Sequence, residues 1–140
     1  MIDTPNYLNK IIPFINKQFI KVITCSNRIE ISTIVEMIKN TLLEEFNVTS
    51  TLIHTYQFNN ILYNGMNSKE MYLELKSKIV EGKKNYFLLD DVQNISSWER
   101  VLNSLNDEFD VDIYVVGTNH DLMPSKIDTY LTGRYVLLKI

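Results

Sequence analysis

The stretch Asn85 to Asn94, N-Y-F-L-L-D-D-V-Q-N, decides the fold of this chain. Its four consecutive apolar residues, Tyr86 to Leu89, are typical of a strand that is buried on both faces, as in a parallel sheet covered by helices. Asp90 and Asp91 then follow at the carboxyl end of that strand. Because open α/β sheets bind their ligands outside this end, the stretch predicts both the fold class and the place of a site.

Two adjacent acids at that position match the Walker B pattern, in which carboxylates serve a phosphate-bound magnesium ion and an attacking water. An Asx-type turn or a helix cap after an ordinary strand would give the same letters, so the stretch alone leaves both interpretations open. The sequence that follows favours the Walker B pattern. A serine-to-glutamate capping box in Ser96 to Glu99 predicts a helix, and a second apolar strand, Asp112 to Val116, then leads into Gly117-Thr118-Asn119.

Length and composition predict a soluble globular protein. Its 140 residues fit one domain, 1–140, and 45% hydrophobic residues are enough for a core on both faces of a sheet. The net charge of -3, without a basic block, argues against a nucleic-acid partner or a membrane surface. The single cysteine, Cys25, excludes an internal disulfide and is expected to be a small buried hydrophobe. We expect a cytoplasmic location, because the sequence has neither a signal-peptide pattern nor an apolar run of roughly 20 residues.

Apolar periodicity predicts five strands that alternate with helices, which favours parallel strands joined by right-handed crossovers. The predicted strands are Phe19 to Thr24, Thr49 to Phe58, the strand that starts at Tyr86, Asp112 to Val116, and Arg134 to Ile140. The predicted helices are a short or kinked one in Tyr7 to Asn16, Ile31 to Phe46, Asn67 or Ser68 to about Glu81, the helix that starts near Ser97, and Ser125 to Leu131. His54 and His120 lie far apart in the sequence, and neither is expected to be a ligand or a base.

The turn between the first strand and the first long helix is where a phosphate loop would lie. Its pattern, G-x-x-x-x-G-K-[ST], needs glycines for close approach of the backbone, a lysine for the outer phosphate charges and a hydroxyl for magnesium. The window here is C-S-N-R-I-E-I-S, Cys25 to Ser32, in which only the final serine fits. Since side chains replace both glycines and Glu30 adds negative charge, this window predicts weak ATP binding, with Arg28 as a partial substitute for the lysine.

Three motifs in the second half of the chain resemble the prokaryotic AAA-type P-loop ATPases whose ATPase domain precedes a winged-helix domain and a nuclease-like domain. They are F-L-L-D-D-V-Q-N-I-S-S-W-E-R (Phe87 to Arg100), D-V-D-I-Y-V-V-G-T-N (Asp110 to Asn119) and Y-L-T-G-R-Y (Tyr130 to Tyr135). The segment Tyr7 to Thr24 is similar to the lead-in to that family's first strand, so the resemblance covers nearly the whole chain.

The resemblance implies roles for four residues. Asp90 would be the magnesium-associated acid, and Asp91 would take the place of the catalytic glutamate. Asn119 would be the polar sensor after the fourth strand. Arg134 matches the arginine of the family's G-R-Y motif, which would act on phosphate or across a subunit interface.

The resemblance also assigns the residues of the phosphate loop. Ser32 and Thr33 match the hydroxyl pair that ends the loop, and Ser32 would contact the metal if a magnesium nucleotide binds. Cys25, Glu30 and Ile31 depart from the family at the two glycines and the lysine.

Two functions stay open on these grounds. The first is a degenerate ATPase domain that hydrolyses no ATP, needs no cofactor and acts by contacting other proteins. The second is a working ATPase that binds Mg-ATP with Arg28 in place of the lysine. Several elements of one site are altered together while the core pattern is intact, which favours the first. A nucleic-acid-binding domain is less favoured, since the chain lacks a basic stripe.

The resemblance implies a three-layer α/β domain with the parallel strand order 5-1-4-3-2. The last strand would then lie at an edge, where it could mediate self-association. Trp98 is expected to pack at the start of its helix. Residues expected in the core are Val22, Ile34, Ile38, Phe87, Leu89, Leu102, Leu105, Ile113 and Val115, and residues expected in solvent are Lys39, Glu44, Lys83 and Lys84.

Overall fold

The computed structural model describes residues 4–140, which form a five-stranded parallel sheet with helices on both faces. The strand order is β2-β3-β4-β1-β5, so the predicted order 5-1-4-3-2 is confirmed. The first strand pairs with β4 and β5, and β3 lies between β2 and β4. The strands are β1 Ile20–Cys25, β2 Ile53–Gln57, β3 Asn85–Asp90, β4 Val111–Thr118 and β5 Tyr135–Lys139, and the helices are α1 Thr4–Ile11, α2 Ile31–Glu44, α3 Ser68–Ser77 and α4 Trp98–Glu108.

The two faces of the sheet have separate apolar cores. Along β3, Phe87 and Leu89 pack towards α3 and α4, while Tyr86 and Leu88 pack towards α2 and the end of α1. This alternation follows from the pleat of a strand. It also places Asp90, the next residue in the series, on the face covered by α2.

The predicted core is confirmed, since each of its nine residues is at most 1% exposed. Trp98 is also buried. Glu44 and Lys83 are exposed as predicted, whereas Lys39 and Lys84 are half-buried. Lys84 lies 3.6 Å from a carboxylate oxygen of Asp110, and Lys39 lines a cleft between α2 and β2.

Two predictions about helices are wrong in detail. The segment Ser125 to Leu131 forms two short 3-10 turns, Pro124–Lys126 and Thr129–Leu131, because Asp128 caps the second turn and separates it from the first. Helix α3 begins with a true capping box between Asn67 and Glu70 but ends at Ser77, before the predicted Glu81.

The predicted capping box in Ser96 to Glu99 does not form. Ser97 precedes α4 with φ 59° in the left-handed region, and its side chain makes no cap hydrogen bond. Glu99 is buried, and its carboxylate accepts a hydrogen bond from the backbone N–H of Asp128 at 2.9 Å. Glu99 therefore binds the backbone of the loop that leads to β5 and does not cap its own helix.

A buried ion pair lies at the amino edge of the sheet. Lys21 of β1 and Asp112 of β4 form a salt bridge with both side chains fully enclosed. Burial lowers the pKa of Lys21, and the negative charge of Asp112 opposes that shift. The carboxylate of Asp112 also accepts hydrogen bonds from the Tyr114 hydroxyl at 2.5 Å and the Asn16 N–H at 3.0 Å. This network joins the two central strands to the segment that precedes β1.

The edge strand β5 contacts α1 through one side-chain hydrogen bond. Tyr135 to Leu138 are half-buried. Lys10 of α1 donates a hydrogen bond to the Lys139 carbonyl at 2.8 Å, which satisfies one acceptor of the strand. Charged residues of this kind hinder unwanted pairing at sheet edges.

Across residues 4–140, no helix is both long and apolar enough to cross a bilayer.

Candidate functional site

The two aspartates of the Asp-Asp pair lie at the carboxyl edge of the sheet, with their carboxyl groups close enough to interact. Asp90 is the last residue of β3 and is 7% exposed, between Gln57 of β2 and Val116 of β4. Asp91 follows with φ 61°, in the left-handed region, and is 2% exposed. At this turn the second carboxylate contacts Arg28, in the loop after β1.

Arg28 binds Asp91 in a bidentate ion pair. Its two terminal nitrogens donate to the two carboxylate oxygens of Asp91, each at 2.5 Å. Planar fork-to-fork contacts of this kind are among the strongest side-chain hydrogen bonds. The side-chain amide of Gln93 also donates to Asp91 at 2.9 Å and to Asp121 at 3.3 Å. The second aspartate is thus fully engaged by groups of the same chain.

The surroundings shift the pKa values of the two carboxyls in opposite directions. Burial works against the charged form of Asp91, but hydrogen bonds from Arg28 and Gln93 outweigh it and lower its pKa. Burial and the neighbouring negative charge of Asp91 raise the pKa of Asp90 to about 6, although Arg28 opposes that shift. The hydrogen bond to Asp91 raises the pKa of Arg28, which stays a cation.

Asp90 keeps one carboxylate oxygen without a partner. Its Oδ1 is buried and makes no hydrogen bond within residues 4–140. The side chain lines a cleft of about 380 Å³ between α2 and β2. The other residues of the cleft are Ser32, Val35, Glu36, Lys39, Thr55, Tyr56, Gln57, Asn60 and Tyr63.

The segment after β1 closes on itself as a short turn. The side chain of Asn27 accepts a hydrogen bond from the Ile29 N–H at 3.1 Å and so caps a 3-10 turn, Arg28–Glu30, that runs directly into α2. The Ile31 N–H bonds to the Arg28 carbonyl. Glu30 accepts from the side chains of Ser26 and Asn27 at 3.4 and 3.2 Å. Two of the backbone donors that would face an anion here are therefore satisfied internally.

The residues at the phosphate-loop positions are oriented by this turn. Ile31, at the position of the lysine, is 2% exposed and packs into the core beneath α2. Cys25 is buried as predicted, and its thiol donates to the Asn27 carbonyl at 3.1 Å. Burial raises the pKa of the Cys25 thiol. Ser32 and Thr33 are exposed on the first turn of α2, and Ser32 lines the same cleft as Asp90.

The structure brings most of the predicted site residues to one edge of the sheet, but not Arg134. Asn119 is exposed after β4, and its N–H donates to the Cys25 carbonyl at 2.8 Å, beside the phosphate-loop segment. Arg134 precedes β5, and its carbonyl accepts from the N–H of Ile20, the first residue of β1. It thus lies at the amino edge, where its guanidinium contacts Asn103 at 2.8 Å and Asp107 at 3.1 Å. Action on a phosphate beside Asp90 of the same chain does not fit this position, and action across a subunit interface stays a prediction.

Sequence reasoning missed two residues of the site, Gln93 and Asp121. Gln93 lies in the quoted Asp-Asp stretch, three residues after Asp90, but a motif gives no reason for its amide to bridge two carboxylates. Asp121 follows β4 and is held by a turn in which its N–H donates to the Thr118 hydroxyl at 3.1 Å. The sequence position of Asp121 after β4 could have predicted its place near Asp91, because the loops that follow adjacent parallel strands lie at the same edge of the sheet.

The raised pKa of Asp90 predicts a pH-dependent gain in stability on substitution. Since folding favours the protonated form, this carboxyl contributes stability at pH 4 that is lost as the pH rises through about 6. Asp90→Asn, which cannot ionise, should raise the free energy of unfolding by roughly 2 kcal/mol at pH 8 and change it little at pH 4. Urea denaturation of both proteins across this range measures the difference. An equal loss of stability at every pH would show that the amide simply disrupts the site.

Comparison with known proteins gives a consistent result. A family model described as an AAA domain matches residues 17–140. The chain belongs to this AAA domain family, which confirms the resemblance found in its motifs. An uncharacterised protein of Haemophilus influenzae is 30% identical over 142 residues, a match that covers all of this chain and 35% of that protein.

Two solved structures share the fold. A DNA polymerase III gamma subunit-related protein of Thermotoga maritima superposes with a TM-score of 0.62 at 12% identity, over 99% of this chain and 46% of that one. PCH-2 of C. elegans superposes with a TM-score of 0.58 at 14% identity, over 98% of this chain and 38% of that one. The chain spans less than half the length of each of these three proteins.

Proposed function

We propose that this AAA-type ATPase domain does not hydrolyse ATP and acts as a protein-interaction module. The observation that carries the proposal is the bidentate ion pair between Arg28 and Asp91. Arg28 is the one basic residue in the window Cys25 to Ser32 that could replace the missing lysine, and it is bound to the carboxylate in the place of the catalytic glutamate. One contact thus engages both the substitute cation and the candidate base.

The residues of the loop do not fit a magnesium-bound triphosphate. The 3-10 turn uses the N–H groups of Ile29 and Ile31 internally, and Ile31 lies in the core where a lysine would have to extend into the site. Glu30 and Asp121 add negative charge near the place of the phosphates. Two like charges about 4 Å apart repel by roughly 4 kcal/mol at an effective dielectric constant of 20. These carboxylates therefore disfavour the binding of a triphosphate.

Calorimetric titration with Mg-ATP tests the proposal. We expect a dissociation constant of 1 mM or weaker and no phosphate release above background, because the loop lacks the donors that make triphosphate binding favourable. Asp90→Ala should leave both results unchanged.

The alternative function, a working ATPase, predicts tight binding of Mg-ATP. If Arg28 leaves Asp91 to bind phosphate, the unaltered chain will bind Mg-ATP at micromolar concentration, and Arg28→Ala or Asp90→Ala will abolish that binding. Such a result would disprove the proposed function.

A further inference from the structure

We infer that the carboxyl edge of the sheet binds a segment of a partner protein in which a basic side chain is flanked by apolar residues. The basic group would enter the cleft between α2 and β2 and reach Asp90. This inference rests on the proposed function and specifies the chemistry of the partner.

The charge of the edge is the first observation. Glu30, Asp90, Asp91 and Asp121 all lie there. Arg28 forms a direct ion pair only with Asp91 among them, although its charge also acts on Asp90 and Asp121. Glu30 is bonded to Ser26 and Asn27, and Asp121 to Gln93, all of which are neutral groups. Three carboxylates are thus left with no cation bound to them in the described chain. An edge of this charge attracts cations and repels phosphates.

The unsatisfied oxygen of Asp90 is the second, independent observation. A buried carboxylate oxygen without a hydrogen bond is unfavourable, so native structures usually supply a partner for it. Asp90 is more than nine-tenths buried, but its side chain lines the cleft, so a donor that enters the cleft approaches this carboxyl group. Glu36 and Lys39 also line the cleft, and their opposite charges add up to zero. Tyr63 lines it too, and the face of its ring can stack against a guanidinium group.

Exposed apolar side chains lie on both sides of the acidic groups. Ile61 and Leu62, in the loop after β2, are 81% and 78% exposed, and Ile29, in the loop after β1, is 86% exposed. Met123, after β4, is also exposed. Because β3 and β4 lie between β2 and β1, Asp90 and Asp121 stand between these two apolar positions. Apolar contacts beside a charged pocket are typical of protein interfaces, so the partner is a peptide segment and not a free metal ion.

Fluorescence anisotropy with labelled peptides tests the inference. The probe is a capped nine-residue peptide with a central arginine between leucine and isoleucine residues, and its matched control carries citrulline, which has nearly the same shape without the charge. We expect the arginine peptide to bind at submillimolar concentration or tighter, and the citrulline peptide to bind at least tenfold more weakly. Asp90→Asn and, separately, Asp121→Asn should each weaken binding of the arginine peptide at least threefold.

Asp107→Asn is the control for nonspecific charge effects, because this exposed acid lies at the opposite edge of the sheet. It should leave the affinity unchanged. Equal binding of the arginine and citrulline peptides, or equal weakening by Asp107→Asn and Asp90→Asn, would overturn the inference. Self-association of the chain that Arg134→Gln abolishes would also overturn it, since the occupant would then be a second copy. None of these measurements uses nucleotide. The peptide experiment therefore tests the inferred partner, and the Mg-ATP titration tests the proposed function independently.

Discussion

Replacing Lys21 with methionine is expected to lower the free energy of unfolding by about 3–5 kcal/mol. The substitution keeps most of the side-chain volume but leaves the carboxylate of Asp112 buried without its cation. A domain of this size is stable by only about 5–15 kcal/mol, so a large part of its stability would be lost. Urea denaturation followed by circular dichroism measures the change.

The double variant separates the ion pair from its surroundings. Lys21→Met together with Asp112→Asn should cost less than the sum of the two single substitutions, because neither partner is left charged and buried. Tyr114→Phe is the matched control, which removes one hydrogen bond to the same carboxylate and should cost roughly 1–2 kcal/mol. Additive losses in the double variant would mean that the salt bridge contributes little and that packing dominates.

Restoring the phosphate loop is expected to create affinity for Mg-ATP. In the triple variant Cys25→Gly, Glu30→Gly and Ile31→Lys, the loop regains its two glycines and its lysine and loses one repulsive carboxylate. We expect an increase in affinity of about 100-fold over the unaltered chain, which corresponds to roughly 2.7 kcal/mol. Calorimetric titration measures it, after circular dichroism has established that the buried position 31 tolerates the lysine.

Two controls decide what the gain means. Ile31→Lys alone supplies the cation but leaves the 3-10 turn closed, so it should gain little. Asp90→Ala added to the triple variant should remove the gain, because magnesium would lose its acid. If the unaltered chain binds Mg-ATP as tightly as the triple variant does, then the 3-10 turn after β1 does not weaken binding.

The strands and their core were predictable because their physics is local and repetitive, whereas the strand order was predicted from the family resemblance. A strand that is buried on both faces needs an uninterrupted apolar run. In a strand with one face in solvent, Tyr86 to Leu89 would expose two of their four apolar side chains. The capping box at Ser96 to Glu99 failed for a different reason. Glu99 has a tertiary partner, the backbone of Asp128, which no short-range pattern encodes.

The site was predictable in composition but not in its contacts. The loss of glycines and lysine was visible in the Cys25 to Ser32 window, but the direction of Arg28 depends on the turn that Asn27 caps and on the left-handed backbone of Asp91. The distance of Arg134 from the acids was deducible, because a residue before a parallel strand lies at the edge opposite to a residue after one. A motif match carries no such information about the two edges.

The contact between Arg28 and Asp91 also bears on how the domain responds to its environment. A loop that becomes ordered only around a ligand ties the stability of its domain to the concentration of that ligand. Here an arginine of the chain itself supplies the counter-charge. Under the proposed function, we therefore expect the order of the loop to be independent of ATP concentration. The carboxyl edge would then be preorganised, and the partner inferred above would lose little entropy to loop ordering. For the labelled arginine peptide, we expect a single fast association step whose rate is the same with and without Mg-ATP.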